Sequence, residues 1–211
     1  MTTEGQQDIM NALISQFPDN NIKLEKFAAV EPFIGRRFLM NSMWALILAF
    51  ILVVIYVWYS FRKIGGLSAG VMALVALIHD CIVVFFVFVF FKIPLNESFI
   101  TAALTIVGFS VNDTIVIYDR IRENTINNVK KKMPIDELVD KSITQSLTRS
   151  INTNAAVFIS IVIVCIFAMV YNLPSILSFA LPMSFGVLSG CYSTICLAGP
   201  MWVMWKKRKE A

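Results

Sequence analysis

The sequence predicts an all-α polytopic membrane protein with five visible membrane-crossing helices, and three observations carry that prediction. Hydrophobic residues make up 57% of the 211-residue chain and charged residues only 15%. Mean hydropathy is +0.72, more apolar character than a soluble domain of this length can bury. Second, the apolar residues gather in runs long enough for a bilayer core, which needs about 20 residues of helix. Third, Lys and Arg cluster beside those runs, so membrane topology accounts for the net charge of +4, and no nucleic-acid partner is expected.

The elements follow in chain order. Residues 1–40 are polar with a weak alternation at Ile22, Leu24, Phe27 and Val30, and are expected to be the remnant of an extracytoplasmic domain. Residues 41–205 form the transmembrane helical domain, with spans at about 41–61, 67–91, 97–118, 152–171 and 176–205. The first apolar run begins only at Trp44 and is too long for a cleavable signal peptide. Short connections holding Pro94 and Pro174 predict tight turns after the second and fourth spans. Between them, Pro134 followed by Asp136 and Glu137 is a helix-start signal. Ile135, Leu138, Val139, Ile143, Leu147 and Ile151 then recur at helical spacing opposite Asp140, Lys141 and Gln145. That pattern predicts an amphipathic helix over 134–151, lying along the inner membrane face and leading into the fourth span. The last span is overlong and holds Pro182 and Pro200, so it is expected to tilt, kink or leave the membrane before the basic cytoplasmic tail of 206–211.

Orientation comes from the basic residues. One side carries Arg62, Lys63, the segment from Arg120 to Arg149 and Lys206-Lys207-Arg208-Lys209; the other carries Lys23, Lys26, Arg36, Arg37 and Lys92. The richer side is predicted to be cytoplasmic, with the first residue outside and the C-terminus inside. A chain that starts outside without a signal sequence suggests a preceding span or a fused partner.

Two carboxylates stand out because an acidic side chain in a spanning segment costs about 2.5–3.5 kcal/mol on insertion scales. Asp113 is flanked by apolar residues in Gly108-Phe-Ser-Val-Asn-Asp-Thr-Ile-Val-Ile-Tyr-Asp119. It lies six residues before Asp119, about 9 Å at 1.5 Å per residue, and so inside the membrane boundary. Asp80 sits near the middle of its own span. Arg149, at the mouth of the fourth span, is placed to snorkel to water or to reach inward and pair with Asp113. Such a pair can act as a two-state element or as a structural ion pair. His79 adjoins Asp80 but falls on a different helix face, and is read as packed or hydrogen-bonded, not as a proton carrier.

Small and polar residues form stripes at helical spacing. Ala69, Ala73, Ala76 and Asp80 share one face of the second span, and Thr101, Thr105, Gly108 and Asn112 share one face of the third. Gly186-x-x-x-Gly190 offers a close-contact face on the last span. Helices in lipid associate through such small residues and through interhelical hydrogen bonds, so these faces are expected to pack centrally. Cys81, Cys165, Cys191 and Cys196 lie in apolar runs without paired spacing, which predicts free thiols and no metal site. No phosphate loop or nucleotide fingerprint occurs, and no cofactor is expected. An intramembrane aspartyl protease would place Asp80 and Asp113 as a dyad. Their depths differ by several residues, and Ser-Val-Asn-Asp lacks the flanking glycine associated with those enzymes, so no enzymatic activity is expected.

The run 108–124, ending Asp-Arg-Ile-Arg-Glu-Asn, resembles the signature of the SecF family, the smaller partner in SecDF units of the resistance-nodulation-division superfamily. Flanking segments agree: Val30-Glu-Pro-Phe-Ile-Gly before the first visible span, with Glu31 departing from the family's glycine, then His79-Asp80, Ser146-Leu-Thr-Arg-Ser-Ile-Asn-Thr153, and Gly190-Cys-Tyr-Ser-Thr-Ile-Cys-Leu-Ala198. The resemblance covers about 30–200. It implies a six-span half-transporter whose first span and most of whose periplasmic domain lie outside this sequence, in a bacterial cytoplasmic membrane. It implies a SecD-like partner, work with the Sec channel and possible accessory membrane subunits, and a preprotein in transit pulled outward by the proton-motive force. It further implies Asp113 as proton relay with Arg149 as partner, supported by Asp80, Asn112 and Thr153. Half of a proton-driven small-molecule or lipid exporter from the same superfamily is the alternative, which the Asp-Arg-Ile-Arg-Glu-Asn continuation disfavours.

Overall fold

The computed structural model describes residues 12, 15, 16, 32–127 and 133–210. The chain divides into two compact units, 1–44 and 45–211. Most of the expected extracytoplasmic remnant lies outside the described residues. Among those described, every regular element is helical: α1 (Pro32–Ser60), a 3-10 turn (Arg62–Ile64), α2 (Gly66–Phe90), α3 (Glu97–Asn127), α4 (Ile135–Val170), α5 (Pro174–Tyr192), a π-helical stretch (Ser193–Ala198) and α6 (Gly199–Glu210). Five helical segments are long and apolar enough to cross a membrane, as the sequence predicts: Met40–Ser60, Gly66–Phe90, Glu97–Asn127, Ile135–Val170 and Pro174–Lys209. The protein is thus an all-α, multi-pass membrane protein.

The turns have local causes. Between α1 and α2, Gly65 takes φ 95°, the left-handed region that favours glycine. At the next position, a side chain on Gly66 would stand 2.4 Å from the Trp58 carbonyl oxygen, so only glycine lets the two helices meet so closely. The turns after α2 and α4 are built alike without glycine. Lys92 (φ 55°) and Asn172 (φ 51°) are left-handed. Ile93 N–H reaches Phe88 O at 2.9 Å and Leu173 N–H reaches Ala168 O at 2.8 Å, the helix-ending pattern that satisfies the last free carbonyls. Asn96 Oδ1 then accepts the Ser98 N–H at 3.0 Å to start α3, and Pro174 supplies the first turn of α5.

Two findings revise the sequence reading. The surface helix over 134–151 and the fourth span are one continuous helix, α4, so the amphipathic part extends the span and does not lie across it. Its packed face carries Leu138 and Val139 and then rolls onto Ser142, Ser146 and Ser150, while Ile151 is exposed. The second revision concerns α3. Thr101, Gly108 and Asn112 are exposed, and a Cβ on Gly108 would meet nothing within 4 Å. The face that packs instead carries Ala102, Ala103, Ile106, Val107, Ser110, Asp113, Thr114 and Ile117. Thr101 and Thr105 donate their hydroxyls to the carbonyls of Glu97 and Thr101 on their own helix, at 2.8 and 2.7 Å. They therefore need no partner, which is why a polar stripe can sit on the outer face.

The α2 stripe packs inward: Ala69, Ala73, Ala76 and Asp80 are all at most 2% exposed. Gly186 touches α2 and α3 so closely that a Cβ would fall 2.6 Å from Ile106 Cγ1 and 3.0 Å from Val84 Cγ2. At Gly190 the nearest atom, Ser110 Cβ, is 3.4 Å away, at the edge of ordinary contact. Two apolar clusters form the core. One, at the basic end, joins Phe61, Met72, Ile117, Tyr118, Ile121, Val139 and Trp202. The other joins Val84, Phe88, Ile106, Ile161, Met183 and Val187. By residue position along α2 and α3, the buried polar side chains fall between them.

Candidate functional site

The polar layer is built from four helices and the π-helical stretch. From α2 comes Asp80; from α3, Ser110, Asp113 and Thr114; from α4, Ser150 and Asn154; from α5 and the π-helical stretch, Ser189, Ser193 and Thr194. Among the described residues no buried side-chain nitrogen or oxygen lacks a hydrogen-bond partner. That completeness is what allows polar groups to remain in a helix bundle surrounded by lipid.

Asp80 is fully buried. Ser110 and Ser193 donate their hydroxyls to its Oδ2 at 2.7 and 2.8 Å, and Ser189 donates to its Oδ1 at 2.7 Å. His79 Nδ1 stands 3.2 Å from the same Oδ1, with its ring 38% exposed and tilted against Tyr192. Adjacent positions on a helix do not face each other, yet the imidazole bends back far enough to touch its neighbour's carboxylate. Three hydroxyl donors thus surround one carboxyl group, with the imidazole in contact.

Asp113 is 9% exposed and has a different shell. Ser150 Oγ donates to Oδ1 at 2.6 Å and Asn154 Nδ2 donates to Oδ2 at 3.1 Å. Asn154 spends its second amide proton on Ser150 O at 2.9 Å, which fixes the two donors relative to each other. The expected Asp113–Arg149 pair is not formed: Arg149 is exposed, and among the described residues no cation lies within ion-pair distance of Asp113. The supporting residues are displaced in the same sense. Asn112 and Thr153 are exposed, and Asn154 holds the place given to Thr153. The cause is helical phase. Successive residues of an α-helix are about 100° apart, so the face of α4 that meets α3 is Ser142, Ser146, Ser150 and Asn154, and Arg149 is turned away. Those polar residues at strict four-residue spacing were a signal the sequence did carry.

A hydroxyl chain runs on from the Asp80 shell. Thr114 Oγ1 donates to Ser110 O at 2.8 Å, leaving its lone pairs for Thr194 Oγ1 at 3.1 Å. Ser193 and Thr194 open the π-helical stretch that ends at Ala198, two residues before Pro200. Proline lacks the N–H that would continue the ladder and its ring crowds the preceding turn, so a locally widened helix is the expected accommodation. The proline thus shapes the helix segment that donates to Asp80. Among the described residues no three His, Cys, Asp or Glu side chains converge as a metal site, and all four cysteines are free.

Chemically, the layer holds two carboxylates with unlike surroundings. Asp80 is held by hydroxyls from three other elements, α3, α5 and the π-helical stretch. Asp113 has two neutral donors, both on α4, and no counter-charge among the described residues. A proton on Asp113 Oδ1 would turn that oxygen from acceptor into donor and reverse its bond with Ser150, while one on Oδ2 would cost the bond from Asn154.

Comparison with known proteins fits this arrangement. The family model described as protein export membrane protein SecD/SecF, C-terminal, matches residues 10–208. The protein translocase subunit SecF of Petrotoga mobilis is 35% identical over 210 residues, covering 99% of this chain and 66% of the relative. That of Helicobacter pylori strain J99 is 34% identical over 196 residues, covering 92% and 58%. The protein translocase subunit SecDF of Bacillus subtilis is 34% identical over 190 residues, covering 86% and 24%. A crystal structure of SecDF in a super-membrane-facing form superimposes with a TM-score of 0.75 at 27% identity, covering the whole of this chain and 27% of that one. The chain therefore spans about two thirds or less of the length of the curated relatives it matches. With the family model running over almost every residue and the solved SecDF fold over all of them, this chain belongs to the SecD/SecF family of protein export membrane proteins.

Proposed function

We propose that the chain works as the SecF-type part of a protein-export accessory unit in the cytoplasmic membrane, driven by the proton-motive force, with Asp113 as the proton-carrying group. The carrying observation is the shell of Asp113: a buried carboxylate in the family's signature run, held by two neutral donors that both belong to the next helix. A hydrogen bond to a charged group is worth about 1.5–3 kcal/mol. One proton moved down 100 mV supplies about 2.3 kcal/mol, so a single proton suffices to exchange one such bond. Arg149 enters as the alternative partner. It neighbours Ser150, and a rotation of α4 by one residue's phase would bring the guanidinium to the carboxylate in place of the hydroxyl.

The SecDF relative and the SecDF fold support a SecD-like partner, separate or fused. Asp113 is covered by the chain's own α4, so the face awaiting that partner is the outer stripe of α3, Thr101, Thr105, Gly108 and Asn112. The Sec channel and a preprotein in transit complete the assembly, and the basic ends of the helices lie in the cytoplasm. Translocase names among the relatives do not favour a small-molecule exporter.

The test is proton-gradient-dependent completion of preprotein export in membranes carrying the assembled complex. Asp113→Asn is expected to assemble and to lose the response to the gradient, and Ser150→Ala to weaken it. If Asp113→Asn assembles and still responds like the parent, Asp113 is structural and Asp80 is the next group to examine.

A further inference from the structure

At the basic end of the bundle a cavity of about 560 Å³ opens between the end of α1, the start of α2 and the end of α6. Its size falls in the roughly 300–1,000 Å³ range of ligand sites. Three cations line it, Arg62, Lys206 and Lys209, and no acidic residue does. Two of the cations lie against aromatic rings. Arg62 Cζ lies 4.8 Å from the Tyr59 ring centroid and 5.7 Å from that of Trp58, and Lys206 Nζ lies 5.2 Å from that of Trp202.

The floor is rigid. Trp202, fully buried, donates its indole N–H to Ser68 Oγ at 3.0 Å, and Ser68 in turn donates to Gly65 O at 2.7 Å. Gly66 and Leu67 open α2 here, where first-turn N–H groups have no intrahelical acceptor and favour an anion. The outer wall is apolar: Leu67 and Val71, one helical turn apart, are 60% and 38% exposed, and the exposed rings of Trp58 and Trp205 flank them.

We propose that this cavity binds an anionic phospholipid of the adjoining leaflet. The headgroup phosphate sits among Arg62, Lys206 and Lys209 at the α2 start, and an acyl chain runs along Leu67 and Val71. A cationic head beside an apolar lipid-facing wall matches the two halves of a phospholipid, and a soluble anion would leave that wall unused. Tryptophans at this level are typical of the membrane–water boundary, and basic pockets between helices there select acidic headgroups.

Photoactivatable phosphatidylglycerol, with the reactive group on the acyl chain, tests this in vesicles holding the intact assembly, with labelled peptides mapped by mass spectrometry. Labelling is expected to concentrate on residues 58–71 and 202–209, to exceed that by photoactivatable phosphatidylcholine several-fold, and to be competed by unlabelled phosphatidylglycerol. Arg62→Gln, Lys206→Gln and Lys209→Gln should each lower it about fivefold, the effect of one surface cation on an acidic lipid. Arg208→Gln, which removes a charge outside the cavity, should leave it intact. Equal labelling by the two lipids overturns the proposal. So does an equal loss in Arg208→Gln, which would mean diffuse attraction, and so does competition by glycerol 3-phosphate alone, which would mean a free-phosphate site.

Discussion

Replacing Gly186 by alanine tests how tightly the central helices are wedged. The added methyl would stand 2.6 Å from Ile106 Cγ1, 2.7 Å from Ile106 Cδ1 and 3.0 Å from Val84 Cγ2. Neither neighbour has room to retreat: Ile106 is 1% exposed and Val84 is sealed completely. Isoleucine is also stiff at its first side-chain torsion, so relief requires either an off-rotamer side chain or a shift of α5. Overpacking of this kind costs about 1–3 kcal/mol. Alanine is also the better helix former by about 1 kcal/mol, which blurs the result for a single variant. Gly108→Ala supplies the control, because it gains the same propensity with nothing within 4 Å of the new methyl. The quantity to measure is the difference in unfolding free energy between the two variants, followed by loss of helicity during denaturant titration in detergent. Gly186→Ala should be the less stable by about 1–3 kcal/mol. Adding Ile106→Val, which removes Cδ1, should recover part of the loss as a coupling between the two sites. Equal stability of Gly186→Ala and Gly108→Ala would refute the wedge, and an additive double variant would show that Ile106 Cδ1 is not what the methyl strikes.

Other expectations follow from the carboxylates. Asp80→Leu would leave the hydroxyls of Ser110 and Ser189 without their acceptor, at about 1–3 kcal/mol for each left unsatisfied, while Ser193 keeps Gly190 O at 3.2 Å; Asp80→Asn keeps an acceptor oxygen and should unfold much later on heating. Outside the apolar spans, the hydrogen bond from Lys207 Nζ at 2.8 Å holds the Asp136 carboxyl below its ordinary 3.8. Because the folded value is the lower one, this tie between α4 and α6 is present above the ordinary value and is lost as pH falls through the lowered one. Spin labels at the start of α4 and in the C-terminal tail should separate on acidification, and Lys207→Gln should abolish that pH dependence.

Much of the fold is legible in the sequence because lipid imposes two simple requirements, length and apolarity, and both can be read residue by residue. The turns at Pro94 and Pro174 were legible as breaks, but their left-handed Lys92 and Asn172 were not, since neither is the glycine such a turn ordinarily takes. Asp80 and Asp113 were legible because an acidic residue in a span demands a partner. The partners themselves depended on helical phase. Arg149 and Thr153 each sit one position from the residue that makes the contact, Ser150 and Asn154, and a guanidinium draws attention that a serine does not. The outer stripe of α3 misled for a related reason. Threonines that bond to their own helix look like packing residues in a sequence while needing no neighbour at all.

The matching turns at Lys92 and Asn172 have a mechanical consequence. Each joins two helices into one hairpin, α2 with α3 and α4 with α5, by a short turn that satisfies the last carbonyls of the first helix. Both donors to Asp113 come from the opposite hairpin, and so do two of the three hydroxyls on Asp80. The polar layer is therefore a seam between the two hairpins. On the proposed role of Asp113, a change in its charge is expected to act across that seam, at the contact between α3 and α4.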